Sequence, residues 1–372
     1  MGRCHICGKD SRIIPDSLSL CRECIQSYYH DAEAIIRAVH VQSRMEFDLP
    51  EAIPPRADNG IVCPQCGNAC SIPPDEVGFC GLKTNKQGRL YQIAGTPGRG
   101  HVEWYYDPLP TNCVASWICP EGEACPAQDK SFRRRGKNLA VFYASCTFNC
   151  LFCQNWHFRE NSLYQHRMSA SDLADAVDAD TRCVCYFGGD PASQISHAIA
   201  ASEKIRRRSL ARGQNSVRIC WETNGSMSRP FIKKMMQLSL DSGGLIKMEL
   251  KAFDTKIHHA LTGTSNATTL SNFSWLADSM LSHRHESPPL VASTLLVPGY
   301  ITAEEVYAIA RFIAGNNPDI PYSLLAFYPH FYFPDLPTTS KRHAEEALSA
   351  AHEAGLRSVH IGNRHLLSRD DY

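Results

Sequence analysis

The sequence predicts an α/β fold: a parallel sheet curled into a full or partial (β/α) barrel, preceded by a cysteine-rich metal-binding extension. Three observations carry this expectation. From residue 139 onward, short β-rich runs alternate with helical stretches. The runs are apolar at successive positions, as strands buried on both faces are. Of the 17 cysteines, 14 fall at or before Cys153.

The β-rich runs are LAVFYA (139–144), CVCYF (183–187), VRICW (217–221), LIKMEL (245–250), LVASTLLV (290–297), YSLLAF (322–327) and RSVHI (357–361). Helices are expected between them near 170–180, 192–208, 228–239, 266–281, 303–314 and 341–354. Seven such strands can curl into a barrel, and a doubly wound open sheet is the alternative. In either arrangement ligands gather at the carboxyl ends of the strands.

Ahead of the barrel (138–372) the chain divides into a small zinc-ribbon-like module (1–47), a linker (48–60) and a cysteine-rich accessory region (61–137). The module holds Cys4, Cys7, Cys21 and Cys24, then a helix whose Ala34, Ile35, Ala38 and Val39 are spaced to share one apolar face. Pro50, Pro54 and Pro55 mark the linker. The accessory region, rich in Gly and Pro and without sustained periodicity, reads as loops and short hairpins.

Composition narrows the function classes. With 38 basic and 38 acidic side chains, and no basic run interleaved with aromatics, nothing points to a nucleic-acid partner. Arg133 to Arg135 and Arg206 to Arg208 read as solvated surface groups. No stretch approaches the roughly 20 apolar residues that cross a bilayer, and the start MGRCHICGKD lacks an apolar signal core, so no membrane association and a cytoplasmic location are expected. In a chain of 372 residues, CxxC spacings without an export signal read as metal ligands rather than disulfides.

Directly after the first β-rich run, ASCTFNCLFCQNW sets Cys146, Cys150 and Cys153 in a CxxxCxxC spacing. Structural zinc takes four protein ligands in a closed site, whereas a [4Fe–4S] cluster is held by cysteine thiolates and has four irons to ligate. Three cysteines leave one iron open. That iron can chelate the amino and carboxylate groups of S-adenosylmethionine (SAM), so that one electron breaks a carbon–sulfur bond and yields a 5′-deoxyadenosyl radical.

On these residues the chain resembles the radical SAM superfamily, and within it the branch of pyruvate formate-lyase activating enzymes and AmmeMemoRadiSam-type proteins. The resemblance runs over roughly residues 61 to 365 and implies SAM contacts at the other strand ends. In YFGGDP, Gly188, Gly189 and Asp190 stand where the superfamily has Gly-Gly-Glu, which holds the SAM amino group. WETNG offers Glu222, Thr223 and Asn224, and MELKAFD offers Glu249 and Lys251, the lysine for the SAM carboxylate. Tyr328 and His330 are expected to face the substrate mouth. The resemblance further implies an electron donor of the flavodoxin or ferredoxin type and a protein substrate, with a small molecule as the other choice.

The remaining cysteines read as accessory sites. Cys4, Cys7, Cys21 and Cys24 form two knuckles that suit structural zinc, with a one-electron iron site as the alternative. Cys63, Cys66, Cys70 and Cys80 can hold a second iron–sulfur cluster or zinc, and Cys113, Cys119 and Cys125 can add ligands to that site. Cys183, Cys185 and Cys220 lie within strands and read as small apolar core residues. Two other functions compete with radical SAM chemistry: a zinc-scaffolded binding module with an inactive barrel, and an electron-transfer iron–sulfur protein.

Overall fold

Runs that are apolar on both faces must be covered on both sides, and in the computed structural model each of the seven is a strand of one sheet. Residues 1–109, 111, 113–122, 136–160, 166–211, 217–280, 283 and 287–372 are described. The N-terminal module contains β1 (Gly2–Arg3), β2 (Asp10–Ser11), α1 (Arg22–Ser27) and α2 (Tyr29–Met45). The next region forms two small hairpins, β3 (Ile61–Val62) with β4 (Ser71–Ile72) and β5 (Lys83–Lys86) with β6 (Arg89–Gln92), then the longer β7 (Gly100–Pro108).

The alternating part runs β8 (Lys137–Tyr143), β9 (Arg167–Met168), α3 (Ala170–Asp175), β10 (Thr181–Tyr186), α4 (Ile195–Ala211), β11 (Arg218–Thr223), α5 (Arg229–Ser242) and β12 (Ile246–Glu249). It continues with α6 (Thr255–Thr262), α7 (Ala267–Met280), β13 (Leu290–Leu296), α8 (Ala303–Asn316), β14 (Tyr322–Ala326), α9 (Lys341–Glu353) and β15 (Val359–Gly362). Local signals set several boundaries. Ser169 and Asp172 form a capping box at α3, the Asp254 carboxylate accepts from the Lys256 and Ile257 amides at α6, and α5 and α6 stop at left-handed Gly243 and Gly263.

Strand order in the large sheet is β15-β14-β13-β12-β11-β10-β8-β7-β9, with β8 and β10 to β15 all parallel. The parallel order never reverses, which decides against a doubly wound sheet, where it must. Side chains from β11 to β15 line one shared cavity, so the sheet is curled as a partial barrel. Its outer face carries Tyr186 stacked on Trp221 at 4.6 Å, and the Trp221 indole donates to Ser239 on α5. Cys183, Cys185, Cys220, Glu222 and Lys247 alternate with these outward residues and point into the barrel, because successive strand side chains face opposite ways.

Some expectations shift. The run HVEWYY falls where loops and short hairpins are expected, yet β7 pairs antiparallel with β8 and brings the accessory region into the large sheet. Helix α6 was not foreseen, and α3 ends at Asp175, short of the expected span. On α2, Ala34 and Ala38 are exposed; the buried face is Ala32, Ile36, Val39, His40 and Ser43, set by what the helix packs against. Arg206 and Arg208 pair with Asp241 and Asp175 at the surface, while Arg133 to Arg135 lie outside the described residues.

The N-terminal module docks against the barrel. The Tyr300 hydroxyl donates to the Leu20 carbonyl at 2.7 Å, Gln26 donates to Asp254 at 2.9 Å, and Tyr29 meets His259 at 2.8 Å. Among the described residues no helix is long and apolar enough to cross a membrane.

Candidate active site

The loop after β8 carries Cys146, Cys150 and Cys153, with Cys150 buried and the other two partly so. Its backbone is tied down on several sides. Asn149 and Leu151 donate to the carbonyls of Thr262 and Leu261 at the end of α6, at 2.9 and 3.0 Å. Inside the loop, the Phe148 amide donates to the Cys146 sulfur at 3.3 Å. Its neighbour Thr147 receives the Asn68 amide on its carbonyl at 2.7 Å and the Asn224 amide on its hydroxyl at 2.9 Å.

All three loop cysteines open on a cavity of about 640 Å³ whose walls include Gly188, Gly189, Asp190, Glu222, Thr223, Asn224, Glu249 and Lys251. That volume lies in the range of small-molecule and cofactor sites. The residues expected to contact SAM at the ends of β10, β11 and β12 are therefore at one site, at the carboxyl ends of the parallel strands.

Gly188 and Gly189 have φ of +71° and +56°. A Cβ at Gly188 would fall 1.8 Å from the Phe142 ring, and one at Gly189 1.9 Å from the Tyr143 carbonyl oxygen. Only glycine fits both the turn and the space.

Asp190 lies in the cavity wall, but both of its carboxylate oxygens are taken by protein donors. Its Oδ1 accepts from the Ala192 amide at 2.7 Å and its Oδ2 from the Asn224 amide at 2.7 Å, while the Thr223 hydroxyl lies 3.0 and 3.1 Å from the two oxygens. The shorter Asp thus clamps the ends of β10 and β11 together. Burial raises its pKa to about 6, opposed by those hydrogen bonds.

Glu222 pairs with Lys247 at 2.9 Å and Glu249 with Lys251 at 2.5 Å. Burial would depress the Lys251 ammonium, but Glu249 and the Cys150 sulfur outweigh it and hold its pKa above the ordinary lysine value. Burial pushes the Cys150 thiol up to about 12 and Cys146 well above its ordinary value. Such thiols reach the thiolate form when a metal displaces the proton. An all-sulfur donor set with an N–H directed at one sulfur and room for a second ligand beside it fits a three-cysteine iron–sulfur cluster.

Tyr328 and His330 were expected at this mouth, but neither lines the cavity. Tyr328 is 46% exposed, and the two rings pair with each other at 5.3 Å. His360 of β15 takes that place, with Asn363 and Arg364 just after the strand. Sequence reasoning also missed Trp117 and Lys247. A lysine inside the apolar run LIKMEL was the available signal for the latter.

The accessory cysteines separate into three groups. The sulfurs of Cys4, Cys7, Cys21 and Cys24 all lie within 4.8 Å of one another, with Cys7 and Cys21 at 3.8 Å. A tetrahedral ion with ~2.3 Å bonds sets sulfurs about 3.8 Å apart. Cys63, Cys66, Cys70 and Cys80 line one small cavity together with Thr147 of the loop after β8, and Ser145 donates to the Cys80 carbonyl at 2.8 Å. Cys113 and Cys119 do not join that group: both line a cavity inside the barrel, with Cys183, Cys185 and Cys220. Those three are buried as expected, in an apolar cluster with Ala115, Leu245 and Val291, and Cys185 also meets the buried Lys247. Cys125 lies outside the described residues.

Residues 140–313 match the Radical SAM superfamily. Pyruvate formate-lyase 1-activating enzyme of Escherichia coli (strain K12) is 26% identical over 148 residues, which is 38% of this chain and 57% of that enzyme. Isethionate sulfite-lyase activating enzyme of Desulfovibrio desulfuricans is 31% identical over 144 residues, 38% of this chain and 40% of that one. An uncharacterized protein of Methanocaldococcus jannaschii is 22% identical over 315 residues, 82% of both chains. The match to the activating enzymes thus spans little more than half of their length at most. The superfamily implies a [4Fe–4S] cluster and SAM, and the chain carries a radical SAM domain with homology to pyruvate formate-lyase activating enzyme and related activating enzymes.

Proposed function

We propose that this chain is a radical SAM enzyme in which Cys146, Cys150 and Cys153 ligate a [4Fe–4S] cluster and the neighbouring strand mouths hold SAM. One observation carries the reading: the three loop sulfurs open on the same cavity as Gly188, Gly189, Thr223, Asn224 and Lys251. When bound, the cluster supplies the electron that cleaves SAM to methionine and a 5′-deoxyadenosyl radical, which takes a hydrogen atom from the substrate.

The chain's own residues bind and orient. The Gly188–Gly189 backbone approaches the SAM amino group, and Asp190 keeps that turn in place from behind. Lys251, partly neutralised by Glu249, offers its remaining donors to the SAM carboxylate. Asn224 bridges the β11 end and the cluster loop through Thr147, so SAM and cluster share one rigid support. Homology to activating enzymes favours a hydrogen on a partner protein as the target, with electrons from a flavodoxin- or ferredoxin-type donor. Zinc at Cys4, Cys7, Cys21 and Cys24, and a zinc ion or second cluster at Cys63, Cys66, Cys70 and Cys80, complete the reading.

The test is anaerobic reconstitution of the wild type beside Cys150→Ala, measuring iron, zinc and 5′-deoxyadenosine after dithionite and SAM. The wild type should form 5′-deoxyadenosine, and Cys150→Ala should lose it while keeping its zinc. Zinc without iron in the wild type would indicate a binding module instead. A redox-active cluster whose spectrum SAM leaves unchanged would indicate an electron-transfer protein.

A further inference from the structure

Beneath the cluster loop, the barrel interior gathers a second set of sulfurs. Cys183 and Cys185 project inward from β10 and Cys220 from β11, with Cys185 and Cys220 directly paired in register. Cys113 and Cys119 come from a different part of the chain, the segment 113–122, which enters the barrel. That segment is anchored on the opposite wall. The Trp117 indole donates to Ser323 of β14 at 3.0 Å and stacks on His360 of β15 at 5.1 Å, while Ser323 donates to the Val114 carbonyl at 2.7 Å. Five cysteines from three chain segments thus line one cavity of about 50 Å³.

These cysteines pack with Ala115, Leu245 and Val291 in an apolar cluster, but packing does not explain the cation placed beside them. Cysteines buried for their apolar character need no cation, yet Lys247 of β12 is 2% exposed and sits among them. Its Nζ lies 2.9 Å from Glu222 Oε1, 3.1 Å from Cys113 Sγ and 3.1 Å from Cys185 Sγ, so two of three ammonium protons are directed at sulfur. Burying an ammonium is costly unless negative charge meets it. A neutral thiol is a weak acceptor, whereas metal-bound sulfur is anionic and accepts such bonds well. Glu222 supplies the one negative charge that Lys247 needs, and what a thiolate-ligated centre would add is a strong acceptor for each of the two contacts to sulfur.

We propose that Cys113, Cys119, Cys183, Cys185 and Cys220 provide the ligands of a further metal centre inside the barrel, with Lys247 as its charge-balancing donor. Among the described residues only Cys4, Cys7, Cys21 and Cys24 bring three or more ligand atoms within 4.8 Å of one another. No three of the interior sulfurs meet that spacing, so no closed single-ion site is preformed there, and the centre proposed is a sulfide-bridged iron core, whose ligands are spread over more than one iron. Cys113, Glu222 and Lys247 also line the larger cavity, so the centre borders the space below the cluster loop.

The site is tested independently of SAM chemistry in full-length protein carrying Cys146→Ala, Cys150→Ala and Cys153→Ala. Iron, zinc and acid-labile sulfide per chain are measured in that background and after adding Cys185→Ala with Cys220→Ala. The added pair should remove two or more iron with matching sulfide, or one zinc, per chain. Metal and sulfide unchanged in a folded protein would overturn the proposal. If the strand variants do not fold, Cys113→Ser with Cys119→Ser, in the inserted segment, gives the same readout with the same two outcomes. Lys247→Met should shift the absorption or redox potential of the residual centre, and a spectrum indifferent to that change would count against it.

Discussion

Asn149, in the middle of the cluster loop, donates its side-chain amide to His40 Nδ1 on α2 at 3.0 Å. The same amide reaches Ser43 at 2.8 Å, Arg159 donates to the Asn149 oxygen at 3.1 Å, and His40 Nε2 faces the Ala260 carbonyl at 3.0 Å. For Nδ1 to accept, the Nε2–H must donate to that carbonyl, which assigns the tautomer. The N-terminal module therefore holds the loop that carries Cys146, Cys150 and Cys153.

Removing either partner should loosen that loop. Asn149→Ala or His40→Ala leaves buried polar groups unpaired, at a cost of about 1–3 kcal/mol. The expected outcome is a lower melting temperature and faster iron release to a chelator, with the zinc content unchanged. Iron retention equal to wild type would show that the module does not brace the loop.

His40 also sets a pH dependence. Burial, above all, lowers its pKa to about 3, and burial lowers His258 to about 4. In the unfolded chain each titrates near 6.5, so below that pH the unfolded state binds protons that the folded state refuses. Stability is full above about pH 6.5 and falls with acidification until the folded pKa is reached, by about 2 kcal/mol per histidine at pH 5. Urea denaturation at pH 7 and pH 5 measures the difference, and His40→Gln should reduce it.

The strand-mouth glycines differ in what can rescue them. Gly188→Ala collides with the Phe142 ring, a side chain that can be trimmed, whereas Gly189→Ala collides with the Tyr143 carbonyl. Both should abolish SAM binding measured by calorimetry. Adding Phe142→Ala should restore part of it to Gly188→Ala and none to Gly189→Ala.

At Asp190, the clamp predicts a graded series. Asp190→Asn keeps one acceptor oxygen and should retain measurable SAM affinity. Asp190→Ala leaves the Ala192 and Asn224 amides and the Thr223 hydroxyl without their acceptor, and should lower affinity at least tenfold along with stability. Equal affinity in the two variants would mean that the carboxylate's hydrogen bonds do not matter.

At the N terminus, Cys21→Ser should release about one zinc per chain and lower the melting temperature, while iron in the cluster loop stays bound. Metal analysis beside a thermal melt checks both, and zinc unaffected by the change would place it elsewhere.

Much of this was legible in the chain itself. Short-range chemistry is written locally: apolar runs commit segments to a buried sheet, CxxxCxxC commits three sulfurs to one loop, and paired glycines commit a turn to positive φ. What was missed depends on partners distant in sequence. HVEWYY becomes a strand because β8 has a free edge, and the buried face of α2 is chosen by Asn149 and Ala260, more than a hundred residues away.

The sequence by itself determined the strand–helix alternation, the cluster loop and the residues at the strand mouths. Only the tertiary structure decided that the Asp190 carboxylate is taken by the Ala192 and Asn224 amides and the Thr223 hydroxyl, that Tyr328 and His330 stand off the mouth, and that Cys113 joins Cys185 around Lys247. Periodicity and motif spacing are properties of neighbouring residues, whereas the direction of a buried polar side chain is set by whichever donor or acceptor the fold brings within 3 Å or so, and no local pattern encodes that meeting.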